Sequence, residues 1–492
     1  MKRKLSFALA LLLLSASAAA CSDGGVSAET TAAVADTETA AVTEPAETEP
    51  SYEPDDLPED LDFGGEIVHI FGWERDVPEF TVEEESGDIV NDAIFQRNRT
   101  VEERLNVELT YTLAPGNSTY KGDWVKTVKQ TTMAGDGAND IVGGYSMAGA
   151  SLAYNRLLID LKEQPYLDFA KPWWPSSLID EATCDGKLYF CSGDISNYMI
   201  YYLNAVFFNK SLAQAYDVED LYTLVREGKW TLDKLAQLSA DAYHDLNGDG
   251  KKDPADQFGF TLSSVCADSL FFSSGLRTTE IGDDGLPAIS PMFGSEKTQS
   301  LVAWLNDLFK TNSAYLSLDN DYMLPFLEER AMFFLVDVAF AGDKLRYTDI
   351  EYGILPLPKY DEAQDAYYTI PSFTYTLYGI PVDAKTPDRS AAVLECLASE
   401  AYRTVSPALF ETALKVKYAG DDATSEMYDI IRGGVVFDIG RIFNDSMNSL
   451  TYSLFRGSLQ QGNSNWASTY KSNSKSLEKQ LAKVVGALIA EE

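Results

Sequence analysis

Apolar positions along this chain switch between two periods. Residues 66–71 read as a short strand running into Gly72-Trp73, and Val90, Ile94, Val101 and Leu105 fall on one face of a helix that begins near Asp88. Val107, Leu109, Tyr111 and Leu113 alternate as a strand does. A helix is predicted over residues 123–133, and then Ile141-Val142 opens into Gly143-Gly144-Tyr145. Strand, helix, strand, helix, strand at this spacing predicts an open α/β sheet, mostly parallel. Such sheets bind ligands outside the C-terminal ends of their strands. Trp73 and Tyr145 stand at two of those ends, although Trp73 serves equally well as packing for a loop.

A second lobe begins after the strand-like run 201–210, which is predicted to cross between lobes. Thr231 is placed to cap a helix carrying Leu232, Leu235, Leu238 and Ala242, with Trp230 packing its end. The runs 352–358 and 375–381 read as two further crossings. A chain that passes back and forth builds two discontinuous lobes around a hinge. The expected division is 63–203 with 357–408 for one lobe, and 204–356 with 409–492 for the other.

The first residues change the picture. Lys2, Arg3 and Lys4 precede an apolar run over 5–14, and Ala16 to Ala20 lead into Cys21. The run is too short to span a bilayer and reads as a cleaved signal. Its end resembles the lipobox of bacterial lipoproteins, with Ala18 where a leucine is usual, which makes Cys21 the lipidated first residue. An ordinary signal cut after Ala20 is the alternative. Residues 22–62 are rich in Ala, Thr, Glu, Pro and Asp, carry no Lys or Arg, and are expected to form a disordered, acidic tether. A net charge of −37 excludes nucleic acid as a partner, because phosphate binding needs basic patches. No later run is apolar enough to cross a membrane, so the anchor is the expected membrane contact, and a monomer is expected. Cys184, Cys191, Cys266 and Cys396 read as small core residues. With a turn at Asp185-Gly186, Cys184 and Cys191 lie too far apart along a strand for a disulfide.

Taken in order, several stretches resemble the bacterial extracellular solute-binding family, the lipoprotein receptors of ABC importers that include maltose-binding protein. They are the lipobox, Phe208-Asn209-Lys210, Trp230-Thr231 opening a helix, Phe326 to Met332 before an apolar strand, and Tyr352 to Lys359. Pro172-Trp173-Trp174 and Glu411 to Lys415 look like a clostridial-type branch of it. Arg330-Ala331 departs from the glycine-containing form expected before Met332. The resemblance implies a two-lobed clamshell that closes on a solute and hands it to permease subunits.

One motif carries metal chemistry. Asp245, Asn247, Asp249, Asp253 and Asp256 hold loop positions one, three, five, nine and twelve, with Gly250 at six and the Lys251 carbonyl at seven. This is the calcium-loop spacing of an EF-hand, with aspartate in place of the last glutamate. A structural calcium ion is expected; an Asx-rich turn without an ion is the alternative. For catalysis the chain offers little. His69 and His244 are its two histidines, and neither sits in a nucleophile or zinc pattern. A glycoside hydrolase would need a facing pair of carboxylates that no motif singles out among 76 acids. A surface glycan-capture lipoprotein without a transporter is the other rival. Sugar sites combine aromatic platforms with Asp, Asn and Gln. That mixture occurs at Trp73, Tyr145, Trp173, Trp174, Asp194, Asn197, Tyr198, Asp337, Phe340 and Trp466. With no arginine standing out as a carboxylate clamp, a neutral saccharide is the expected solute.

Overall fold

The computed structural model describes residues 53–75, 78–318, 321–410 and 422–490. Cys21, the greater part of the expected tether and the stretch 411–415 lie outside them. The strands are β1 (Glu66–Glu74), β2 (Val107–Pro115), β3 (Ile141–Tyr145), β4 (Asn204–Asn209), β5 (Phe258–Ser263), β6 (Thr279–Ile281), β7 (Pro287–Ile289), β8 (Ala314–Ser317), β9 (Ala331–Asp337), β10 (Tyr352–Leu355) and β11 (Thr376–Gly379).

Two open sheets carry the fold. The first has the order β11-β3-β1-β2, with β1 parallel to β2 and β3, and β11 antiparallel to β3. The helix Ile89–Leu105 begins where the sequence places it, because the Asp88 carboxylate accepts from the amides of Val90 and Asn91. Gly143 and Gly144 leave room for Phe80 and Trp124, whose rings lie where Cβ atoms would stand. The second sheet has the order β10-β4-β9-β5-β8. Here β5 runs parallel to β8 and β9, whereas β4 is antiparallel to both its neighbours. β4 enters from the first sheet, in the reverse sense to the βαβ strands it joins, and that mixes the sheet. Thr231 caps the helix Leu232–Ser239 by accepting from Lys234, and the buried Trp230 donates to the Pro356 carbonyl at 2.8 Å.

The runs 352–358 and 375–381 are not themselves crossings. They contain β10 and β11, one in each sheet, and the passage lies between them. It is paired with the first crossing: Asn204 N donates to Ile370 O at 3.2 Å and Ser372 N to Tyr202 O at 2.7 Å. Two hydrogen-bonded segments thus cross the junction side by side, bridged at Leu203 and Pro371.

The amino-terminal side also differs from expectation. Residues 53–57 are docked, with Leu57 and Asp55 buried. Arg104 Nη1 and Arg403 Nη2 donate to Asp55 at 2.7 and 2.9 Å, and Ser399 Oγ at 2.7 Å. Burial alone would raise the Asp55 carboxyl; these donors hold it well below the usual range. An acidic segment orders where cations meet it. Cys184, Cys191 and Cys396 are buried free thiols and Cys266 is partly buried, while Cys184 and Lys187 pair across the Asp185-Gly186 turn.

Candidate functional site

The C-terminal ends of β1 and β3 in the first sheet lie at the junction spanned by residues 198–204, as does that of β9 in the second, whose Asp337 pairs with Asn204. Trp73 and Tyr145 come from the first two ends, and their rings stand edge to face at 5.4 Å. Tyr198 and Tyr202 come from the crossing itself; Tyr198 lies 5.9 Å from Trp73 and 5.8 Å from Tyr202. Arg75, two residues beyond Trp73, lies against this wall. Its Cζ is 5.0, 4.4 and 5.1 Å from the rings of Trp73, Tyr198 and Tyr202, and its Nη2 donates to the Tyr202 hydroxyl at 2.6 Å. The quadrupoles of three rings stabilise that cation. Asp337, at the end of β9, is within electrostatic reach of Arg75, and burial pushes its carboxyl up to about 7.

A buried carboxylate sets the wall. Glu79 accepts from Ser196 Oγ and the Tyr378 hydroxyl, both at 3.0 Å, from the Tyr198 amide at 3.3 Å, and from Thr376 Oγ1. Thr376 Oγ1 in turn accepts from Trp73 Nε1 at 2.8 Å. Burial raises the Glu79 carboxyl, opposed by these donors. Removing it would unlock Trp73 and Tyr198 together.

A second charged group adjoins the wall. Asp268, buried, pairs with Arg456 Nη2 at 2.9 Å and Arg441 Nε at 3.5 Å. The Arg441 Cζ lies 3.8 Å above the Phe373 ring. Burial pushes the Tyr145 phenol up, while Arg441 and, more weakly, Arg75 draw it down.

Of the ten candidate binding residues, Trp73, Tyr145, Tyr198 and Asp337 gather here. Asn197 neighbours them and donates to the Pro78 carbonyl at 3.1 Å. Trp173 and Trp174 are buried elsewhere, their indole N–H groups donating to Glu395 at 3.1 and 3.0 Å. Asp194 is buried against Arg432 Nη2 at 3.0 Å and accepts from Ser406. Phe340 packs among Phe207, Phe326 and Phe334 beneath the second sheet, and Trp466 is buried on Phe293 and Phe455. Trp173, Trp174, Phe340 and Trp466 are buried in packing away from the junction, and Asp194 lines a small cavity with Pro172, Met199 and Arg432; Trp73, Tyr145 and Tyr198 are buried as well, against one another at the junction. Tyr202, Arg75, Arg441 and Asp268 were not singled out by the sequence. Arg75 was within reach of the strand-end argument, since it follows Trp73 by two residues.

In the loop 245–256, Asp245 accepts from the amides of Gly248 and Gly250 at 2.6 and 2.9 Å, and Asp256 accepts from the Tyr243 hydroxyl at 3.0 Å. Among the described residues, no three acidic, His or Cys side chains converge as metal ligands. His69 is half-buried on β1, its Nδ1 2.9 Å from Thr110 Oγ1.

No family model matches the sequence, and no curated protein matches it. Solved structures do. The ABC substrate-binding protein Lmo0181 from Listeria monocytogenes, in complex with cycloalternan, is similar at 12% identity with a TM-score of 0.54, over 85% of this chain and 99% of that one. UspC of M. tuberculosis matches at 18% identity and 0.54, over 84% and 100%. The GacH receptor of Streptomyces glaucescens GLA.O, solved unliganded and with acarbose and an acarbose homolog, matches at 14% and 0.53, over 84% and 99%. Two open α/β sheets joined by paired crossings are a two-lobed clamshell. The chain has the fold of the ABC substrate-binding proteins.

Proposed function

We propose that this protein is an extracytoplasmic receptor, anchored through lipidated Cys21, that closes its two lobes on an oligosaccharide and delivers it to an ABC importer without chemical change. The observation that carries the reading is the cluster of Trp73, Tyr145, Tyr198 and the half-buried Tyr202 at the hinge, beside the end of β9, where Asp337 pairs with Asn204 of the crossing. Aromatic faces suit the C–H surface of a sugar, and carboxylates its hydroxyls. The lobes divide as 63–203 with 357–408, and 204–356 with 409–492. The likeness to substrate-binding proteins supports this function, as does the lack, among the described residues, of a helix long and apolar enough to cross a membrane.

A solute that touches both walls gains contacts only in the closed form and shifts the population towards it. Solution scattering with an oligosaccharide should therefore show a smaller radius of gyration, with a higher melting temperature and chemically intact recovered sugar. Turnover of the sugar, or binding without compaction, refutes the reading. The loop 245–256 is proposed to bind one structural calcium ion, for which Asp249, Asp253 and Asp256 would turn inward from the hydrogen bonds they hold.

A further inference from the structure

Trp304 is the only one of the seven tryptophans that is not buried; the other six are exposed by 2% or less. It stands on the helix Glu296–Lys310, and its indole donates to Asp233 of the helix Leu232–Ser239 at 2.9 Å. With Tyr243, Asp241, Asp307 and Asn312 it lines a cavity of about 630 Å³. That volume lies within the range of small-molecule sites. Tyr243 is part-buried like Trp304, and the three polar side chains are exposed.

The walls of this cavity are fixed in advance. The Tyr243 hydroxyl donates to Asp256 at 3.0 Å. Lys252 Nζ donates to the carbonyls of Phe309, Thr311 and Ala314 at 2.7, 2.9 and 3.1 Å. The loop 245–256 therefore clamps the end of the helix that carries Trp304, and little ordering remains to oppose a ligand. The cavity is also apart from the hinge. Asn312 precedes β8, which runs parallel to β5, as does β9. Ala314 and Phe333 both pair with Phe260, so the start of β8 lies about 13 Å of strand short of Asp337.

An indole face and a phenol beside two carboxylates and a carboxamide suit a pyranose, whose C–H face lies on the ring while its hydroxyls bond the polar groups. A chain of net charge −37 repels anionic ligands, which leaves neutral sugars. We propose that this cavity is a second saccharide site, which takes pyranose rings of a neutral glycan with Trp304 as their platform. The site goes beyond the receptor reading and binds whether or not the lobes close. Its effect is retention: a long glycan held at Trp304 raises the effective concentration of its remaining units around the receptor.

Acrylamide quenching of the intrinsic fluorescence of the purified protein reads this site directly, because Trp304 is the tryptophan a quencher reaches in the folded chain. Maltohexaose, cellohexaose and mannohexaose are the probes. At least one should reduce the quenching about two-fold, since stacking covers a face of the indole. Trp304→Phe should remove the quenchable emission; emission still quenched in that variant overturns the exposure on which the site rests. Asp241→Ala and Asn312→Ala change exposed side chains, and each should raise the half-saturating sugar concentration about three- to ten-fold, the loss of one hydrogen bond. Shielding by none of the sugars at millimolar concentration overturns the proposal. So does shielding that is unchanged in the protein carrying both alanines, because it would then arise from closure at the hinge. Compaction in scattering without shielding of Trp304 would sink this inference and leave the receptor reading standing. Shielding without compaction would uphold it and count against the receptor reading.

Discussion

Trp173 separates a packing role from a binding role. The side chain is fully buried and its indole donates to Glu395 at 3.1 Å, beside Trp174 at 3.0 Å. Truncating a buried tryptophan to alanine costs about 3–5 kcal/mol through lost burial and the cavity left behind. Trp173→Phe keeps an aromatic ring but removes the donor, a loss of about 1.5–3 kcal/mol for a bond to a charged group, in addition to the smaller cavity left where the indole was wider. Glu395 adds a signature that a sugar platform would lack. Burial, opposed by the two indoles, places its carboxyl at about 7. Above that pH it is ionised and depends on both donors; below it, protonation relieves the need. The penalty of Trp173→Phe should therefore be larger at pH 8 than at pH 5.5. Denaturant unfolding at the two pH values measures this, and calorimetry measures saccharide affinity of the folded variant. An unchanged unfolding midpoint together with weakened sugar binding would refute the packing argument and restore Trp173 as a platform.

Glu181, Asp337 and Glu395 are each pushed up to about 7, by burial first. The folded state thus holds protons that the unfolded chain has released between about pH 4 and 7, and stability falls as pH rises through that window. The melting temperature should be higher at pH 5.5 than at pH 8, and a rise towards pH 8 would contradict the burial of these groups. Replacing Cys21 by Ala should move the protein from the membrane fraction to the soluble exported fraction; unchanged association after detergent-free washing sinks the anchor. Chelation should lower the melting temperature if the loop 245–256 holds calcium, and Asp249→Ala should abolish that response. No calcium uptake in calorimetry would leave the loop as an Asx turn.

Elements set by local chemistry were legible in the sequence. The Asp88 and Thr231 caps, the alternation of β2 and the Gly143-Gly144-Tyr145 strand end all act within a few residues, and each is found where the pattern puts it. What depends on distant partners was not legible. Trp173-Trp174 after a proline looks the same whether it stacks on a sugar or donates to a carboxylate more than two hundred residues away. An arginine after a strand reads as a solvated end, and only the fold brings Tyr198 and Tyr202 round Arg75. The runs that became β10 and β11 have the apolar character of core strands, and nothing local says which sheet each joins. Acidic residues 53–57 read as tether because the cations that order Asp55 lie on the helix Ile89–Leu105 and at Arg403.

That docking decides which half of the molecule moves. Asp55 is clasped by Arg104 of the helix Ile89–Leu105, which packs on β2, and by Arg403 beyond the end of the helix Pro387–Glu400, which packs on that helix. A pull from any anchor upstream of residue 53 is borne by that half alone. The half built on the second sheet takes no part in that clasp, so motion at the hinge displaces it relative to a moored partner. For a tethered receptor, opening and closing would then sweep the Asp337 side of the cleft past a stationary aromatic wall.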